Sequence, residues 1–136
     1  KKTKENIISN SEERLAKKRE IIEQKEQETK ELKQKVNESF EEIIHLAKTN
    51  SPEFFSRFQE IYPEFRNKLL QINPDLKTSE LTLCAYILLG FNTKDIAEYT
   101  FKAEKTVRNN KYNVRKRLDV PAKSDFTVWL RNYIEN

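Results

Sequence analysis

The sequence contains one cysteine, one glycine, four prolines and no methionine. With Cys84 alone, no disulfide can form within the chain, and we expect a reducing, cytoplasmic location. So few glycines and prolines argue against an all-β fold, whose many tight turns use these residues. No run of 18 or more apolar residues occurs, so the sequence predicts no membrane-spanning helix.

The residue patterns of catalytic and metal sites are also missing. His45 is the only histidine, and no serine or cysteine stands at a spacing that would make it a catalytic base. We interpret Cys84, on the inner face of a predicted helix, as a small core residue. No Cys/His cluster, phosphate-binding glycine loop or pair of carboxylates in a credible pocket is found. We therefore expect no enzyme activity, no metal and no cofactor.

The charge of this 136-residue chain is unevenly distributed. Residues 1–47 hold 11 Lys/Arg and 11 Asp/Glu, whereas residues 78–118 hold 8 Lys/Arg and only 4 Asp/Glu. Six of those cations fall between Lys105 and Arg117. Positive charge concentrated in one segment indicates a contact with a polyanion, whereas a dispersed excess would indicate only solubility.

The first 50 residues predict one long helix, because they lack proline and glycine and are rich in Glu, Lys and Gln. Apolar residues recur in it at intervals of seven, as in the seam of a coiled coil. We expect this segment to pair with a second copy of the chain, since so polar a helix buries too little surface to be stable alone. The residues predicted to form the dimer contact are Ile8, Leu15, Ile22, Leu32, Val36 and Ile43.

Residues 51–76 predict two short connecting helices, rich in phenylalanine and interrupted at Pro63. Residues 77–136 predict four more, with Gly90 ending the first and Thr93 capping the second. No segment has the pattern of a strand, so the predicted fold class is all-α.

The stretch "EKTVRNNKYNVRKRL" forms the third of these helices, about residues 104–118. Val107, Val114 and Leu118 share its inner face, which leaves arginine, asparagine and tyrosine side chains on the other faces. Arginine can form a bidentate pair with guanine and asparagine with adenine, while lysine and hydroxyl groups suit phosphates. A short helix, a tight connection and a longer basic helix form the helix-turn-helix arrangement.

The segment "ELTLCAYILLGFNTKDIAEYTFKAEKTVRNNKYNVRKRL" resembles the LuxR-type DNA-binding domain, with the motifs G-F-N-T-K-D-I-A, T-V-R and R-K-R-L as they stand in this sequence. The resemblance covers residues 78–136. The preceding "FQEIYPEFRNKLLQINPDL" is similar to the segment before this domain in a Bacteroidetes-type group of regulators. In that group, tetratricopeptide repeats, often a membrane helix, and a coiled coil come first, so an upstream sensor or membrane helix is an implied partner in a longer protein.

The resemblance implies that residues 104–118 enter the major groove of double-stranded DNA. We expect the chain to bind that DNA as a homodimer. The positions that face base edges in the family are occupied by Arg108, Asn109 and Tyr112. Phosphate contacts are expected from matching positions and from the flanks of the basic helix: Thr93, Lys94, Lys105, Thr106, Lys111, Arg115 and Lys116. The final helix, with Trp129, matches one that packs on the core and can add a dimer contact.

Three residues depart from the family pattern. Ala103 stands where a serine usually caps the basic helix, Asn110 replaces a common histidine, and Asp119 replaces the usual glycine after the Lys-Leu ending. The sequence also leaves a second interpretation open, in which the chain is an all-α interaction module whose basic helix binds an acidic protein.

Overall fold

The computed structural model describes the backbone of residues 2–135 and the side chains of residues 12–135 except those of residues 33, 35 and 36. Within residues 2–135 there is no strand, which confirms the all-α prediction. The helices are α1 (Lys2–Lys48), α2 (Phe54–Ile61), α3 (Phe65–Ile72), α4 (Thr78–Leu88), α5 (Thr93–Thr100), α6 (Glu104–Arg117) and α7 (Phe126–Glu135).

The chain divides into two compact units, residues 1–41 and residues 42–136. The first unit consists of α1 without its last turns, and every side chain described between residues 12 and 32 is exposed. Gln27 donates to Glu31, and Gln34 donates to Glu38, each at 3.4 Å. Such pairs four residues apart stabilise a helix by only about 0.2–0.5 kcal/mol each, so they do not replace a hydrophobic core.

The second unit is built around one apolar core, to which α2–α7 and the last turns of α1 all contribute. Ile43 is 3% exposed and Ala47 is fully buried, and the Tyr86 hydroxyl donates to the Ala47 carbonyl at 3.0 Å. The prediction that Ile43 forms a dimer contact was therefore wrong. It continues the seven-residue repeat, but this part of α1 packs on its own chain, which no local pattern reveals.

Aromatic rings form the part of the core contributed by α2 and α3. The ring centroid of Phe58 lies 4.8 Å from that of Phe65, 5.0 Å from that of Tyr62 and 6.1 Å from that of Phe54. Phe54, Phe58 and Phe65 are all at most 2% exposed. The phenylalanine-rich segment is thus a packing cluster carried by two short helices, α2 and α3.

The C-terminal helix α7 is attached to α3 and α4 through polar contacts. Lys68 donates its ammonium to the Ile134 carbonyl at 2.7 Å, and the Tyr133 hydroxyl donates to the Lys68 carbonyl at 3.0 Å. Arg131 Nε donates to the Leu88 carbonyl at 3.0 Å. The bonds to Ile134 and Leu88 satisfy carbonyls at the ends of α7 and α4 that have no partner within their own helices, and the bond to Lys68 ties α7 to α3.

The connection from α4 to α5 follows its sequence signals, with one difference. Gly90 has φ of +94°, the left-handed conformation that favours glycine. The cap of α5 is Asn92 rather than Thr93: its side-chain oxygen accepts the N–H of Asp95 at 2.8 Å. The Asp95 carboxylate accepts in return from the Asn92 N–H at 3.4 Å, a capping box that fixes where α5 begins.

Candidate nucleic-acid interface

The basic helix α6 presents two different faces. Val107 and Val114 are each 1% exposed and pack in the core of the second unit. Arg108, Asn109 and Tyr112 are exposed, and Tyr112 retains 58% of its accessible surface. The three side chains predicted to face base edges therefore lie outside the packed interior.

Two predicted phosphate-contacting residues meet where α5 begins beside α6. The ammonium of Lys111 donates to the Thr93 hydroxyl at 3.0 Å. Burial lowers the pKa of Lys111, and the nearby Asp125 carboxylate opposes that shift. A half-buried ammonium with a hydroxyl partner is a donor pair for an anion, and a bound anion would raise the pKa of Lys111 again.

The other predicted phosphate contacts on this side, Lys94, Lys105, Thr106 and Lys116, are exposed. Lys116 Nζ lies 4.5 Å from the centroid of the Tyr112 ring, a cation–π arrangement. This contact places a predicted phosphate-binding group beside a predicted base-contacting phenol. Both remain accessible, so the pair can act together on one ligand.

Arg115 is engaged differently from the other cations. Its guanidinium donates to the carbonyls of Pro121, Ala122 and Ser124 at 2.8, 3.3 and 2.9 Å. Its central carbon lies 5.7 Å from the Phe126 ring centroid. Arg115 therefore holds the connection between α6 and α7, and this use of its donors leaves it poorly placed to contact a phosphate.

A polar contact that the sequence analysis missed joins α6 to α4. The Arg117 guanidinium pairs with the Glu80 carboxylate, and Asn73 Nδ2 donates to the Arg117 carbonyl at 3.4 Å. Burial acts to raise the pKa of Glu80, but the hydrogen bonds from Arg117 and from the Lys77 N–H outweigh it and hold that pKa below its ordinary value. Residues 37 positions apart give no local signal of such a pair.

Both ends of α6 reflect the departures noted in the sequence. Ala103 precedes the helix without a side-chain cap. Asp119, in the position where a glycine is usual, has φ of +60°. Aspartate tolerates this left-handed conformation better than most residues, because its short polar side chain can hydrogen-bond locally. The backbone shape associated with glycine is therefore present here without the glycine.

Three of the predicted dimer residues lie exposed on α1. Leu15, Ile22 and Leu32 retain 56%, 55% and 64% of their accessible surface. Ile21, which the prediction omitted, retains 52%. Ile8 and Val36 lie outside the described side chains. In a single chain these apolar side chains stay in water.

Among the side chains described, no group of His, Cys, Asp and Glu could hold a metal ion. In the described part of the chain, no helix is long and apolar enough to cross a membrane. Burial raises the pKa of Cys84 to about 12, so this thiol is un-ionised at neutral pH.

Comparison of the chain with protein-family models, with curated proteins and with solved structures finds no significant match.

Proposed function

We propose that this protein binds double-stranded DNA in a sequence-specific manner, as a transcription regulator of the LuxR-type helix-turn-helix class. In this proposal, α5 and α6 form the helix-turn-helix and α6 enters the major groove. The supporting observation is the division of α6 into a buried apolar face and an exposed face of cations and amides, with no acid between Lys105 and Leu118. Repulsion among these cations is relieved by a polyanion.

The exposed side chains divide into two roles. Arg108 and Asn109 carry the bidentate groups that match guanine and adenine edges, and Tyr112 adds an aromatic hydroxyl. Phosphates are contacted by Lys94, Lys105, Thr106 and Lys116 and by the Thr93–Lys111 pair, which together set the position of α6 on the duplex. We leave Arg115 out of this set, because its Nη2 group is held by three carbonyls of the connection between α6 and α7.

The regulator acts as a dimer in this proposal, with Leu15, Ile22 and Leu32 contacting the same stripe of a second copy. Pairing would remove exposed apolar side chains from water, which stabilises by about 25 cal/mol per Å² buried. Two copies double the phosphate contacts and separate the half-sites by about one turn of DNA. Such a protein works in the cytoplasm, where bacterial DNA is accessible.

The first experiment selects duplexes that bind the full chain from a random pool. The most enriched duplex is then titrated with protein to measure affinity and stoichiometry. Arg108→Ala should weaken binding of the selected duplex by about 1–3 kcal/mol and relax the preference at one base position. The loss has a physical cause: a guanine edge would be left without its bidentate donor.

Arg66→Ala is the matched control, because Arg66 is an exposed arginine on α3, away from α6. It should leave affinity unchanged within a factor of about two, since a distant exposed charge contributes little. The proposed contact of Arg108 with a base edge would be overturned if the pool yields no enriched sequence. It would also be overturned if the two variants lose equal affinity for the selected duplex at matched salt.

A further inference from the structure

A groove of about 670 Å³ lies between α4 and α6. Its apolar floor includes Leu83, Tyr86 and Val107, and Asn110 and Asn113 line it from α6. Successive residues of a helix are turned by about 100°, so Asn110 and Arg108 point in clearly different directions. Arg108 therefore points away from the groove, whereas Lys116 both lines it and belongs to the proposed phosphate-contacting set.

The charge of the groove is predominantly positive. Its lining includes four cations, Lys77, Lys102, Lys116 and Arg117, and one carboxylate, Glu80, which is already paired with Arg117. Among the residues that the structure describes, no ion pair involves the ammonium groups of Lys102 and Lys116. An occupant of this groove must therefore carry negative charge to be complementary to it.

Phe101 adds an apolar group beside this groove. It stands in the chain between Thr100 and Lys102, both of which line the groove, and it is 86% exposed. Its φ of +56° places a bulky residue in the left-handed conformation, which costs about 1–2 kcal/mol for a residue other than glycine. This backbone conformation ends α5, since the N–H groups of Phe101 and Lys102 both donate to the Ala97 carbonyl, but the ring itself stays in solvent.

We propose that this groove, with Phe101 at its rim, is a docking surface for an acidic segment of a partner protein that carries at least one bulky apolar side chain. The acids of the segment would face Lys77, Lys102 and Lys116, and its apolar side chain would cover Phe101 and reach the floor near Leu83. A nucleic acid offers phosphates but no aliphatic side chain for that floor, so a protein segment fits the mixed surface better. This inference does not depend on DNA binding.

The test uses a displayed library of 16-residue peptides rich in Asp and Glu, with four positions randomised among apolar and polar residues, selected against the full chain. A library of the same design with Lys and Arg in place of the acids is selected in parallel. We expect enrichment from the acidic library only, with apolar residues at one or more of the randomised positions.

Two variants then locate the binding surface. Phe101→Gly removes the ring, and glycine adopts the left-handed conformation freely, so the variant should melt at the same temperature as the parent or higher. We expect it to weaken binding of the enriched peptides by about 10-fold or more, because an aromatic anchor of the interface is lost.

The double variant Lys77→Gln/Lys102→Gln should weaken binding of the same peptides by about 5-fold. Its matched control is Lys48→Gln/Lys123→Gln, two exposed lysines that do not line the groove, with the same change in net charge. The control should leave peptide affinity unchanged.

Several results would overturn the inference. These are no enrichment from the acidic library, enriched peptides without apolar residues, and equal effects of the two lysine double variants. Equal binding to the parent and to Phe101→Gly would do so as well. A chain that binds peptide but no duplex would contradict only the proposed function.

Discussion

The two units of this protein use helices in opposite ways. Residues 1–41 and residues 42–136 are both helical, but 13 of the 14 aromatic residues belong to the second unit. Large apolar side chains are buried there, whereas Leu15, Ile21, Ile22 and Leu32 of the first unit remain exposed. A helix can therefore be well encoded by local preference and still lack anything to pack against.

This contrast identifies where each unit obtains its stability. The second unit has its own core, including rings that are completely buried, and does not need a second copy to remove them from water. Between residues 12 and 32, the described side chains of the first unit are all exposed and form weak pairs with neighbours, whereas most helical stability in proteins comes from packing an apolar face. Its stability should therefore depend on protein concentration, and that of the second unit should not.

The largest effect is expected from truncation in the second unit. Phe58→Ala should lower its free energy of unfolding by about 3–5 kcal/mol, because Phe58 is fully buried among the rings of Phe54, Phe55, Tyr62 and Phe65. The fluorescence of Trp129, the only tryptophan, reports this unit during chemical denaturation. The control is Phe101→Ala, which removes the same atoms from an exposed phenylalanine of the same unit. A loss below 1 kcal/mol for Phe58→Ala would show that the ring cluster is not the core of this unit.

A smaller effect should follow from substitution on the exposed stripe. If two copies pair through it, Leu32→Ser should weaken the dimer by about 1.5–3 kcal/mol, the value of one buried leucine. Sedimentation equilibrium over a range of concentrations would then show a dissociation constant raised by about 10- to 100-fold. Gln24→Ser, on the same helix but off the stripe, controls for the helix preference of serine. A parent chain that is monomeric at every concentration would remove the basis for this comparison.

The smallest effect concerns the polar link between α4 and α6. Glu80→Gln should destabilise the second unit by about 1–2 kcal/mol at pH 7, because it replaces a charged hydrogen bond to Arg117 with a neutral one. The pKa of Glu80 is lowered in the folded state, so its carboxylate stabilises the fold above the unfolded pKa of about 4.5, and that contribution is lost as the pH falls through the folded value. Parent and variant should therefore converge in stability at acid pH, as followed by urea denaturation at several pH values. A difference that stays constant from pH 7 to pH 3 would show that the carboxylate charge is not its source.

Local sequence signals were sufficient for much of the fold. The absence of proline and glycine before residue 49 predicted α1, and the apolar spacing of Val107 and Val114 predicted which face of α6 is buried. Gly90 marked the end of α4, where the backbone does have positive φ. These features depend on residues within one or two turns of each other, so their physical causes can be read from a short stretch of chain.

The contacts that shape the candidate site depend on residues far apart in sequence. Whether a cation of α6 faces outward or is held by its own chain is decided by what lies beside it. Arg115 and Lys116 are neighbours with similar charge, yet Arg115 meets the carbonyls after Pro121 while Lys116 stays exposed against Tyr112. No local pattern distinguishes them.

By itself the sequence determined that the chain is helical and that positive charge is concentrated on one helix. Backbone preference, capping and spacing act over a few residues, and the order of amino acids specifies them directly. Only the tertiary structure decided that Ile43 joins the core instead of the exposed stripe, that Arg115 is held by carbonyls, and that a cationic groove opens beside Phe101. Those outcomes arise from packing between distant segments, where burial and the need to satisfy polar groups select one arrangement among many that the local pattern permits.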